Sequence, residues 1–62
     1  MKAIIKIAMD NDAFANNPSY ELARMLRDLA DLCELGMVQS PCEKKLYDIN
    51  GNLCGTCVVK GK

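Results

Sequence analysis

Four cysteines, at positions 33, 42, 54 and 57, are the residues of this chain best suited to soft-metal or redox chemistry. Cys54-Gly55-Thr56-Cys57 has the C-x-x-C spacing that supplies two of the four ligands of a tetrahedral zinc. The intervals of 8 and 11 residues between the other cysteines supply no second such pair, and the chain has no His to complete a site. A thioredoxin-like C-x-x-C needs its first Cys at a helix N-terminus, where the dipole lowers the thiol pKa, and this pair lies late in what reads as a terminal strand. On a regular strand, residues three apart point to opposite faces, so Cys54 and Cys57 share one ion only if the strand is broken there. The expectation is therefore four reduced thiols that pack as small apolar residues, with no metal and no cofactor. A zinc-stabilised module stands as an alternative.

Oxygen ligands are the second chemistry to weigh. Asp48-Ile49-Asn50-Gly51-Asn52 opens like a calcium loop, but its Gly arrives two places early and Val59 stands where the bidentate Glu belongs. It reads as a turn, as do Asp10 and Asp12. Without His there is no imidazole general base and no Ser-His or Cys-His pair, so the commonest hydrolase arrangements are excluded. The expectation is a protein that binds rather than an enzyme.

The elements that must position these residues are few. Residues 2–9 alternate at period two, Ala3, Ile5, Ile7 and Met9 against Lys2, Ile4, Lys6 and Ala8, as a strand does. Residues 10–17 form a polar loop anchored by Phe14. Asn17-Pro18 starts a helix. Leu22, Met25, Leu26, Leu29, Ala30 and Cys33 then recur at helical spacing opposite Glu21, Arg24, Arg27, Asp28, Asp31 and Glu34, and Gly36 ends the helix after residue 35. Residues 44–49 and 52–59 flank Asn50-Gly51, the signature of a two-residue type I′ hairpin, which pairs Leu46 with Gly55 and Tyr47 with Cys54. That register puts Leu46, Leu53, Cys57 and Val59 on the helix side. The fold class is α+β: a single domain over 1–62, strand-helix-strand-strand, one helix on a three-stranded antiparallel sheet ordered 1-3-2.

Sixty-two residues bury only about 60% of the surface their unfolded chain exposes, which allows one small core. No run is apolar enough to cross a membrane, and Lys6 interrupts any N-terminal signal segment, so a cytoplasmic location without membrane contact is expected. Eight Lys and Arg balance eight Asp and Glu. This neutrality disfavours a dedicated nucleic-acid binder.

Two surfaces are candidates for a partner. One is the acidic end of the helix, where Asp28, Asp31 and Glu34 include charges that oppose the helix dipole. The other is the sheet face that a single helix leaves uncovered, showing Ile4, Lys6, Lys45, Tyr47, Ile49, Cys54, Thr56 and Val58. That face offers three readings: partner binding, self-association, or a nucleic-acid accessory role using Lys6, Lys45 and Tyr47. The last is disfavoured because stacking platforms use two or three aromatics and this face has one.

Met9-Asp10-Asn11 with Ala13-Phe14, Pro18 with the run Glu21-Leu22-Ala23-Arg24-Met25-Leu26-Arg27-Asp28-Leu29-Ala30, and Asp48-Ile49-Asn50-Gly51-Asn52 with Gly55 resemble a group of short reading frames from bacteriophages and other bacterial mobile elements. The likeness spans nearly the whole chain, and its motifs are structural: a helix start and a hairpin turn. What the resemblance implies is a small protein that binds and blocks a host protein, including components of CRISPR and other defence systems.

Overall fold

The computed structural model describes residues 1–61. Strand β1 (Lys2–Ile7) leads through a 3-10 turn (Asp12–Phe14) to helix α1 (Pro18–Glu34), and a connector then delivers the hairpin β2 (Cys42–Tyr47) and β3 (Leu53–Lys60). The sheet is antiparallel throughout, in the order β1-β3-β2. Strand-helix-strand-strand with the last strand in the middle is the expected topology. The strand limits differ: β1 stops two residues before Met9, β2 runs two residues earlier than expected, and β3 is displaced by one.

Helix α1 begins and ends where local chemistry dictates. The Asn17 side chain accepts the Tyr20 backbone N–H at 3.1 Å, and Pro18 at the first helical position loses no bond. At the other end Gly36, at φ 74°, lets its own N–H reach the Cys33 carbonyl and the Met37 N–H reach that of Leu32, each at 3.0 Å. This pair of bonds satisfies two carbonyls that a helix end otherwise orphans.

The core is Phe14, Met25, Leu29, Leu46 and Cys57, with Ile7, Ala13, Val38, Cys54 and Val59 packed against it. Each buried large side chain contributes roughly 1.5–3 kcal/mol. The buried helix stripe is rotated from the expected one: Glu21, Met25 and Leu29 are buried, whereas Leu26, Ala30 and Cys33 are exposed. The cause is geometric, because residues 21, 25 and 29 follow one another at four-residue steps along one face.

The hairpin corrects the expected turn. A type I′ turn needs positive φ at both Asn50 and Gly51, and only Gly51 has it, at 84°. The Gly51 N–H instead donates to the Asp48 carbonyl at 3.0 Å, and the Asp48 N–H donates to the Asn52 carbonyl at 2.9 Å. The loop is thus three residues long, Ile49, Asn50 and Gly51, with the glycine in the left-handed position. Leu46 still pairs with Gly55, Lys45 with Thr56 and Lys44 with Cys57, but Tyr47 pairs with Leu53, and a bulge absorbs the extra residue. Leu53 is consequently solvent-exposed at 54%, not core, and Cys54 turns to the helix side, where its Sγ lies 3.9 Å from Met25 Sδ.

Candidate functional site

Away from the bulge the register assigns every strand residue to a face. Ile7, Leu46, Cys57 and Val59 look toward the helix. The opposite face carries three cross-strand rows: Lys2 beside Lys60; Ile4, Val58 and Glu43; and Lys6, Thr56 and Lys45, with Tyr47 at the hairpin corner. Four lysines and one glutamate therefore surround an aliphatic centre on a molecule of zero formal charge. Lys2 and Lys60 stand directly opposite each other, and like charges so placed are destabilising. Ile4, Lys6, Lys45, Thr56 and Val58 are brought together as expected, and Tyr47 is half-exposed at 50%. Cys54 is not on this face, because of the bulge.

Asp28, Asp31 and Glu34 are all exposed on α1. Asp28 is not free: its Oδ2 accepts from Arg24 Nη1 at 2.9 Å. Beside it, an open groove of about 550 Å³ runs between α1 and β2, lined by Met25, Asp28, Leu29 and Leu32 on the helix and by Glu43 through Tyr47 on the strand. The fold thus joins Asp28, Lys45 and Tyr47 around one groove and leaves Asp31 and Glu34 outside it.

A polar network at the hairpin end is the main feature that residue spacing alone does not place. By its charge Glu21 is expected on the solvated face, but it is buried. Its carboxylate accepts Arg24 Nε at 2.7 Å, Arg24 Nη2 at 2.9 Å and the Ile49 backbone N–H at 2.8 Å. The Arg24 hydrogen bonds hold the Glu21 carboxyl below its ordinary pKa range against the opposing effect of burial, and the Ile49 N–H adds to them. Arg24 Nη2 also reaches the Tyr47 carbonyl at 3.4 Å. Asp48, likewise buried, accepts the backbone N–H groups of Asn52 and Asn50, each at 2.9 Å, and the side-chain amide of Asn11 at 3.0 Å. The Asn52 backbone bond is the first cause of its lowered pKa. N–H donors thus occupy both oxygens of the carboxylate that a calcium loop would need.

The thiols are dispersed by environment. Cys33 is exposed, Cys42 and Cys54 are half-buried, and Cys57 is in the core. The bulge removes the geometric objection to Cys54 and Cys57 sharing a side. Even so, no group of three or more Cys, Asp or Glu among the described residues is arranged to hold a metal ion. Burial pushes the Cys54 and Cys57 thiols above their ordinary pKa, which disfavours the reactive thiolate. No helix among the described residues is long and apolar enough to cross a membrane. Comparison with known protein families, characterised proteins and solved structures finds no match to this chain.

Proposed function

We propose that this chain is a small non-enzymatic interaction protein that binds, and by binding inhibits, a host protein, in the manner implied by its resemblance to short phage and mobile-element reading frames. The observation that carries this reading is the uncovered sheet face, where aliphatic Ile4 and Val58 sit between rows of lysine and half-exposed Tyr47 stands at the hairpin corner. Apolar area of this kind supplies affinity, and the surrounding charge supplies orientation and encounter rate. The opposed Lys2 and Lys60 are tolerated at a cost to stability, which fits a surface selected for contact with an anionic partner. A nucleic-acid accessory role fits less well. Glu43 stands in the middle row, where it would repel phosphate, and the centre offers aliphatic side chains where bases need aromatic ones.

The test is capture from a nuclease-treated bacterial lysate on the immobilised chain, with Lys6→Glu/Lys45→Glu and Tyr47→Ala variants in parallel. A protein retained by the wild type and released by both folded variants is the expected result. Retention that disappears on nuclease treatment supports the nucleic-acid role instead, and equal retention by the wild type and both variants removes the sheet face from consideration.

A further inference from the structure

We infer that the free edge of β2 is a strand-addition site, which takes an extended segment of a partner protein carrying a carboxylate flanked at period two by aliphatic residues. This rests on the reading that the chain works by binding a protein, and it names a second surface and a mode of recognition.

Backbone direction leaves one edge of β2 unpaired. The Ala8 N–H donates to the Cys54 carbonyl at 2.8 Å, so Cys54, Thr56 and Val58 turn their backbone groups toward β1, and Gly55, Cys57 and Val59 turn theirs toward β2. The β2 partners of that second set are Leu46, Lys44 and Cys42. Glu43 and Lys45 therefore point N–H and C=O away from the sheet. The same alternation follows from the hairpin end, where Asp48 bonds inward to Asn52 while the outward Tyr47 carbonyl is taken by Arg24. At Glu43 and Lys45 the edge stays open, and a strand is the element that satisfies such a ladder.

The side chains around that edge set what can join it. A strand added here sends alternate residues into the groove, whose helix wall is Met25, Leu29 and Leu32. Lys44 is half-buried in that groove and has no ion-pair partner among the described residues, while Asp28 is already held by Arg24. An inward lysine on an edge strand repels indiscriminate pairing. It becomes a selector when the incoming strand brings a carboxylate to it. A second copy of this chain is a poor occupant. Two-fold antiparallel pairing centred on Glu43 or Lys45 sets that residue against its own copy, and pairing centred on Lys44 joins Glu43 to Lys45 across the two-fold but drives the two groove lysines together and brings neither a carboxylate. Nucleic acid is poorer still, because the outward carbonyls would meet phosphate oxygens, acceptor against acceptor.

The probe is an acetylated, amidated peptide Thr-Val-Thr-Glu-Thr-Val-Thr, titrated into the ¹⁵N-labelled chain. The Glu43 and Lys45 amides should slow in hydrogen exchange by about tenfold when peptide exceeds its Kd by about tenfold. Replacing the peptide's Glu by Lys should weaken binding by about tenfold or more. Lys45→Pro removes one outward N–H and leaves the bonds to β3 intact, so it should abolish peptide binding while the circular dichroism spectrum stays that of the wild type. Absence of protection at millimolar peptide, equal binding by the Pro and wild-type chains, or shifts confined to Ile4, Lys6, Thr56 and Val58 would each overturn the edge site. A lysate partner lost by Lys6→Glu/Lys45→Glu but kept by Lys45→Pro preserves the interaction reading and sinks this one. A lysate that yields no partner while the peptide binds as expected does the reverse.

Discussion

The two ends of β2 hold their polar groups in opposite ways. At the hairpin end the buried charges are all bonded: Glu21 takes Arg24 and the Ile49 N–H, Asp48 takes Asn11, Asn50 and Asn52, and Arg24 seals the Tyr47 carbonyl. At the Cys42 end the edge backbone of Glu43 and Lys45 is open, Lys44 has no ion-pair partner among the described residues, and Asp31 and Glu34 stand exposed on the facing end of α1. So small a chain keeps its stability at the first end and leaves groups to a partner at the second. One end is tied by bonds that link the first loop, the helix and the hairpin, which frees the other from holding the fold together.

The largest loss of stability is expected at Gly55, which pairs with Leu46 and Ile7 near the closed end. A Cβ at this position would lie 2.2 Å from the Lys6 carbonyl oxygen and 3.0 Å from Ile7 Cα. Both are backbone atoms that cannot swing aside, so β1 must move off the sheet. Gly55→Ala is expected to cost about 3 kcal/mol or more, enough to abolish the cooperative thermal transition in circular dichroism. Gly51→Ala is the control: its Cβ meets nothing within 4 Å, and only the left-handed φ of 84° opposes it, at a cost of about 1 kcal/mol. A Gly55→Ala variant melting like the wild type would mean that β1 and β3 do not approach as described.

Much of this was legible in the sequence, and the losses have definite causes. Asn17-Pro18 and Gly36 marked the helix, because capping is local chemistry. The order 1-3-2 followed from a helix and a tight hairpin, and the pairing of Leu46 with Gly55, Lys45 with Thr56 and Lys44 with Cys57 came out as expected. The turn did not. Asn-Gly also suits a three-residue loop with glycine left-handed, and the Asp48 carboxylate on the Asn50 and Asn52 N–H groups favours that loop. The one-residue difference moved Leu53 out and Cys54 in. Glu21 was misplaced because its charge outweighed its position, although its four- and eight-residue offsets from Met25 and Leu29 put it on their face. The groove was invisible, since it depends on how far the helix stands from β2.

An effect of intermediate size is expected from pH. Glu21 and Asp48 both have folded pKa values below their ordinary ones. The stability they contribute is therefore complete above the unfolded carboxylate pKa of about 4 and is lost as pH falls through the folded values. The melting temperature should be flat from pH 7 to about 5 and decline below that. Glu21→Gln lowers the melting temperature at pH 7, because Arg24 and the Ile49 N–H lose an ionised acceptor. The gap between variant and wild type should then close as acid protonates the wild-type carboxylate. A gap that stays constant from pH 7 to 2.5 would place Glu21 outside the buried network.

The smallest effect on folding belongs to the open end. Asp31 and Glu34 occupy the last turns of α1, where negative charge opposes the partial charge of the free carbonyls, and both are exposed. Reversing the two to Lys should stabilise the chain by about 0.3–1 kcal/mol, or a few degrees in melting temperature. The same change removes the acidic surface offered to a basic partner site, so association should slow and lose part of its salt dependence while dissociation stays nearly constant. Opposite signs for stability and association are what separate a binding role from a merely solvated helix end. A variant that gains stability and associates at the wild-type rate assigns Asp31 and Glu34 to solvent and leaves contact to the sheet face and the β2 edge.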